Sequence, residues 1–237
     1  MTASTTIIAN IAAIQARIAA AQQYSASLTP HLTLMAVSKT RSAEDIAAAL
    51  KAGIEHIGEN YLQEAVAKQA ELQDKNICWH FIGPIQSNKT RTVAEHFSWV
   101  HSVDRAKILS RLNEQRPPAL GPLNICLQVN INNEPSKAGA SIADIPALAE
   151  LALSLPQLRL RGLMAIPANT DDPAQQRRNF AAVRKLLNSL RQHFPAAQLD
   201  TLSMGMSGDM EAAIAEGATI LRIGSDIFGP RASPAPE

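Results

Sequence analysis

Aromatic residues are scarce in this 237-residue chain, at 4% of positions, and no segment concentrates positive charge. A nucleic-acid binder needs stacking platforms and a basic face, so both shortages argue against one. Net charge is only +1. There are two cysteines, Cys78 and Cys126, and no CxxC pair. Each falls in a run that predicts a strand, so both read as reduced core residues of a cytoplasmic protein. No spacing of His and Cys suggests a metal ligand set. Uninterrupted apolar runs stay short of the roughly 18 residues of a membrane span, and the N-terminus lacks a basic segment followed by an apolar one. Neither a transmembrane helix nor a secretion signal is expected.

What is present suits a globular core. Hydrophobic residues make up 46% and charged residues 18%, ordinary values for a packed domain. The length fits one domain over 1–237. Ile7, Ile11, Ile14, Ile18 and Ala21 fall at helical spacing and predict an N-terminal helix within residues 1–25, capped by Ser4 or Thr5. Strands and helices then alternate. Predicted strands at 32–39, 56–60, 78–83, 99–104, 124–131, 159–166, 201–205 and 220–224 are each followed by a helical pattern or a short continuation. Such alternation gives a parallel sheet, and eight steps in this length suit a closed (β/α)8 barrel of the TIM type. A doubly wound sheet is the alternative, but its glycine-rich first turn is missing: no glycine follows Lys39 until Gly53. The Pro/Ala-rich tail at 232–237 is expected to be disordered. A monomer is expected, without nucleic-acid or membrane partners.

The run Leu32-Thr33-Leu34-Met35-Ala36-Val37-Ser38 ends on Lys39. A strand-end amine in a desolvated site becomes a nucleophile toward an aldehyde. The plainer alternative is a lysine that snorkels to water. The loops after strands seven and eight decide more, because barrels of this kind often bind phosphate there. The first reads Ser203-Met204-Gly205-Met206-Ser207-Gly208-Asp209-Met210, and the second carries Gly224-Ser225. Ser207 can cap a helix whose free N–H groups attract an anion, and Gly224 and Ser225 can add donors. Asp209 must then point away from that anion. Strand alternation places Arg222 on the face of Ile220 and Gly224. A buried guanidinium there needs an acceptor, either a ligand or a strand-end acid such as Glu59 or Asp104. An amine, a phosphate cradle and a cation together fit a small phosphorylated aldehyde, pyridoxal 5′-phosphate. A competing motif, Gly83-Pro84-Ile85-Gln86-Ser87-Asn88-Lys89-Thr90, resembles a nucleotide phosphate loop, but Asn88 replaces the second glycine and Pro84 lacks an N–H.

Several motifs carry a resemblance: Ala36-Val37-Ser38-Lys39-Thr40, Gly58-Glu59-Asn60-Tyr61, Trp79-His80-Phe81-Ile82-Gly83, Arg161-Gly162-Leu163-Met164, Leu202-Ser203-Met204-Gly205-Met206-Ser207 and Arg222-Ile223-Gly224. From about residue 6 to Arg231 the chain resembles the pyridoxal phosphate homeostasis proteins, the YggS/PROSC-like family. That resemblance implies a barrel similar to the N-terminal domain of bacterial alanine racemase. It implies a Schiff base at Lys39, phosphate contacts from Ser207, Gly224 and Ser225, and Arg222 facing the pyridine nitrogen. Asn60, His80, Met164, Ser203 and Met204 would line the pocket. Many relatives have an acid at Gly208 and Thr-Ala at Ser225-Asp226; Ser225 keeps its hydroxyl, and Asp226 is expected to point outward.

The resemblance implies a protein that keeps free cofactor low and supplies it to apoenzymes, without established turnover. The alternative is a small racemase or lyase. Arginine cannot give the ring nitrogen the proton that a carboxylic acid partner supplies, so Arg222 favours holding over electron withdrawal. Only Tyr24 and Tyr61 could supply a second acid/base, and neither matches the racemase position. Lys137 sits in the loop after strand five, where it is either a solvated lysine or a second aldehyde-reactive site.

Overall fold

The computed structural model describes residues 3–23, 31–135 and 137–230. Tyr24 and the tail at 232–237 lie outside the described residues. Eight parallel strands, β1 Thr33–Val37, β2 His56–Glu59, β3 Cys78–Phe81, β4 Trp99–Val103, β5 Leu123–Val129, β6 Leu158–Ala165, β7 Thr201–Ser203 and β8 Ile220–Ile223, close in sequence order into a barrel. Register closes it: Met35 pairs with His56 on one side and with Arg222 on the other. This is a TIM (β/α)8 barrel.

The helices are α1 Ala3–Gln23, α2 Ala43–Lys51, α3 Leu62–Glu71, α4 Thr90–His96, α5 Ala106–Gln115, α6 Ile145–Ser154, α7 Pro173–His193, α8 Met210–Ala215 and α9 Ser225–Phe228. Local chemistry explains their ends. Ser42 caps α2, its hydroxyl accepting the Asp45 N–H at 3.2 Å, with Glu44 and Asp45 in the first turn and Lys51 in the last. Asp172 caps α7 by accepting the Ala174 N–H at 2.9 Å, with Pro173 next in the chain. In α1, Ile7, Ile11 and Ile14 are buried, and Ile18 and Ala21 pack partly against the same core. That stripe lies against α2, α8 and α9, closing the side of the barrel where β1 and β8 meet.

Several boundaries differ from expectation. Ser4 and Thr5 lie inside α1, because the helix already runs at Ala3. Lys39 lies beyond β1, and α8 starts at Met210 rather than Gly208. The Gly83–Thr90 segment becomes a 3-10 turn, Ser87–Lys89, running straight into α4. The short helix α9, directly after Gly224, was not expected. Cys126 is buried, whereas Cys78 is only half-buried; both are free thiols. Among the described residues no helix is long and apolar enough to cross a membrane.

Candidate functional site

The turn that carries Lys39 is pinned on both sides. Before it, Ser38 is buried; its N–H donates to Gly58 O at 3.0 Å and its hydroxyl to Glu59 Oε1 at 2.5 Å. After it, Thr40 adopts φ 63°, a left-handed conformation that is uncommon for threonine, and its N–H donates to Glu64 Oε1 at 2.6 Å. Lys68 ties these contacts together. Its buried ammonium donates to Ser38 O and to Glu59 Oε1, each at 2.7 Å, and also to Glu64. Burial pushes the Glu59 carboxyl above its ordinary value, against the Lys68 and Ser38 hydrogen bonds. This network escaped sequence reasoning. Its signal was a lysine in register with Ala65 and Leu72 on the buried face of α3.

The two loops at the ends of β7 and β8 meet beside that turn. Gly205 lets the first loop fold back: its φ is +93°, and an added Cβ would stand 2.5 Å from Ala213 Cβ. The Ser207 and Ser225 hydroxyls approach to 3.3 Å, one from each loop. Ser207 is not a helix cap; Asp209 occupies that position. The Asp209 carboxylate accepts the Met206 N–H at 2.6 Å, which holds one of its oxygens within its own loop. Arg17 of α1 clips the loops together, donating to Glu211 Oε1 and Asp226 Oδ2 at 2.9 Å each and to Ser207 O at 3.4 Å. Asp226 thus faces α1.

Arg222 is buried beneath these loops. Its Nη1 donates to Ser203 Oγ and its Nη2 to Ala165 O, both at 2.9 Å. The acids first considered as its partners are engaged elsewhere, Glu59 by Lys68 and Asp104 by Arg105. Burial lowers the Arg222 pKa to about 10, with Asp209 and Cys126 acting in the opposite sense. It therefore stays charged at neutral pH.

One cavity of about 330 Å³ lies at this C-terminal end of the strands, at the small end of the range for small-molecule sites. Seven expected residues line it: Lys39, Asn60, Met164, Ser207, Arg222, Gly224 and Ser225. Arg41 joins them from the mouth, donating to Gly229 O at 2.6 Å. Three expected residues do not line it. Ser203 lies behind Arg222 as its hydrogen-bond acceptor, and Met204 is packed in the core. His80 lines a different cavity, toward the N-terminal ends of the strands. The resemblance implies that His80 lines the pocket; here it faces the barrel interior farther down the axis, hydrogen-bonded to His101. Asn60 Oδ1 is buried without a hydrogen-bond partner. An orphaned amide, two paired hydroxyls and the cations Lys39, Arg41 and Arg222 suit a small anionic ligand that also carries polar ring groups.

Below Arg222 a polar column descends the barrel. Ser203 Oγ lies 2.8 Å from His101 Nδ1, His101 Nε2 lies 2.9 Å from His80 Nδ1, and His80 Nε2 lies 2.8 Å from His56 Nδ1. Burial lowers the His101 pKa to about 3, with Arg222 adding to the effect, and holds His80 well below its ordinary value. These imidazoles are neutral. Lys137, on the far side of the loop after β5, pairs with Glu134 at 3.1 Å and donates to Pro167 O at 2.7 Å.

The chain is similar in sequence and fold to known proteins. The alanine racemase N-terminal domain family matches residues 9–232. A pyridoxal phosphate homeostasis protein of Pseudomonas aeruginosa is 57% identical over 231 residues, with 98% of each chain covered. The chain belongs to the pyridoxal phosphate homeostasis protein family. Its Escherichia coli K12 relative, of the same name, is 48% identical over 228 residues, covering 94% of this chain and 95% of that one. Among solved structures, the family relative PipY of Synechococcus elongatus, with PLP bound, superposes with a TM-score of 0.83 at 39% identity, covering 94% of this chain and all of that one.

Proposed function

We propose that this protein binds pyridoxal 5′-phosphate at the C-terminal cavity, holds it as a Schiff base on Lys39, and takes part in intracellular homeostasis and delivery of that cofactor. The observation that carries this reading is the convergence of Lys39, Arg222 and the Ser207–Ser225 hydroxyl pair on one cavity. When bound, the cofactor supplies a reactive aldehyde on an aromatic ring that can withdraw electrons.

The residues divide that ligand between them. Ser207 and Ser225, with the backbone at Gly224, hold the phosphate, and Asp209 keeps one carboxylate oxygen on Met206 N–H. Asn60 gains the partner its buried oxygen lacks. Arg222 holds the ring with donors not already spent on Ser203 and Ala165. It has no acceptor lone pair and keeps its own proton at neutral pH, so the ring gains no proton from it. Lys39 sits on a turn that three buried or part-buried groups keep from wandering. A rigid amine, a rigid cradle and a ring partner that does not protonate together favour holding over turnover. The recipient of the cofactor is a transiently bound apoenzyme.

Borohydride reduction after loading with pyridoxal phosphate, followed by peptide mapping, tests the reading. The expected label lies on Lys39 and disappears in Lys39→Ala. A label on another lysine overturns the tether. Sustained racemisation or decarboxylation of an amino acid, lost in Lys39→Ala, would replace the carrier with an enzyme.

A further inference from the structure

At the opposite end of the barrel, three side chains outside the cofactor cavity form a second constellation. His56 begins β2 and Cys78 begins β3, and the two are paired in register. His80 stands two residues beyond Cys78 and points the same way along β3. One ring nitrogen of His56, Cys78 Sγ and one ring nitrogen of His80 all lie within 4.8 Å of one another, and His56 Nδ1 and His80 Nε2 are 2.8 Å apart. Ligand atoms around a tetrahedral zinc stand about 3.3–3.8 Å apart. Small side-chain rotations would therefore bring these three to such a centre.

We propose that His56, Cys78 and His80 form a metal site for a thiophilic cation, zinc(II) or copper(I), at the N-terminal face of the barrel. Two imidazoles and a thiolate select such ions over magnesium or calcium, which prefer oxygen. The second observation is the support behind His80. A metal-bound imidazole usually has its other nitrogen fixed by a hydrogen bond. His80 Nδ1 has that partner in His101 Nε2 at 2.9 Å, and His101 Nδ1 has its own in Ser203 Oγ at 2.8 Å. With the metal on His80 Nε2, the proton order is fixed throughout: His80 donates to His101, and His101 donates to Ser203. Ser203 then accepts from both His101 and Arg222, which its two lone pairs permit.

The surroundings allow entry and charge balance. His56 and Cys78 are half-buried, and His56 and His80 line a cavity of about 470 Å³ together with His31, Trp99, Arg161 and Asp200. The fourth coordination position faces that space and takes water. Arg161 does not oppose the ion strongly, because it is paired with Asp200 and lies over the Trp99 ring at 5.0 Å. Glu55 adds negative potential at both His56 and Cys78. Binding forms two metal–nitrogen bonds and one metal–sulfur bond. The imidazoles are already neutral and change only tautomer, whereas the Cys78 thiol gives its proton to water. One proton is therefore released per ion bound.

Cobalt(II) is the probe, titrated into the reduced full-length protein without added pyridoxal phosphate. The expected result is one equivalent bound, with a sulfur-to-cobalt charge-transfer band in the near ultraviolet and visible bands of tetrahedral cobalt. Cys78→Ser abolishes the charge-transfer band, while Cys126→Ser keeps it. His101→Phe, which removes the support behind His80, weakens binding 10–100-fold. Far-ultraviolet circular dichroism checks that each variant folds, and His56→Asn, at the half-exposed edge, replaces Cys78→Ser if the latter does not. Absence of a thiolate band in the parent protein overturns the site. So does a band that survives Cys78→Ser, or one that Cys126→Ser removes.

Discussion

Replacing Lys68 with methionine isolates the network beneath the Lys39 turn. Methionine keeps the length and apolar stem of the side chain but removes the ammonium. Glu59, fully buried, then loses the buried cation it pairs with and keeps, among the described residues, the Ser38 hydroxyl on Oε1, with Oε2 already unpartnered. Breaking a buried ion pair on one side costs about 3–5 kcal/mol. Urea denaturation at pH 7 should show a loss of that size. The loss is pH-dependent, and its sign follows from Glu59. Burial already holds the folded-state pKa above the ordinary 4.5, and removing Lys68 raises it further. Above that ordinary value the unfolded chain has lost the Glu59 proton while the folded chain keeps it, so stability falls as pH rises. Below it both states are protonated and the penalty vanishes. The gap between variant and parent should therefore narrow as pH falls from 7 toward 4.5. Glu59→Gln combined with Lys68→Met leaves neither member of this buried pair charged and should recover more than half of the loss. A loss below about 1 kcal/mol, a gap independent of pH, or a double variant no better than the single one would refute the reasoning.

Three other substitutions test contacts elsewhere in the barrel. Gly83→Ala should destabilise the fold by several kcal/mol or prevent folding, because the new Cβ would overlap the Asn60 carbonyl oxygen, a backbone atom that cannot move aside; Gly208→Ala meets nothing within 4 Å and should change the thermal midpoint little. Arg17→Ala removes exposed ion pairs to Glu211 and Asp226, so global stability should fall by no more than about 1 kcal/mol; if the proposed site is right, the dissociation constant for pyridoxal phosphate should nevertheless rise severalfold in absorbance titrations, because the loops after β7 and β8 lose their clip.

Much of the fold was legible because its signals are periodic and local. The isoleucine stripe of α1 and the alternation of apolar runs each arise from a few neighbouring residues. Boundaries shifted where tertiary contacts override local preference: Ser207, a good capping residue, turns toward Ser225 because the loop after β8 is there. The cavity residues were legible for a different reason. A barrel places strand ends at one mouth, so Lys39, Ser207, Arg222 and Ser225 could be assigned to one place without coordinates. Depth along the axis could not be read this way. Alternation says which face a strand residue such as His80 occupies, not how far down the barrel it sits.

Sequence alone therefore determined the eight-step barrel, the amine at the end of its first strand and the chemistry of the last two loops. These depend on hydrophobic period, turn composition and chain order. Only the tertiary structure decided what surrounds them: Lys68 under Glu59, Arg17 across the two loops, and the descent from Arg222 through Ser203, His101 and His80 to His56. Those contacts join residues from 9 to more than 200 positions apart. Nothing in the chain's order announces them, because buried charge and hydrogen-bond partners are chosen by what the closed barrel brings within 3 Å.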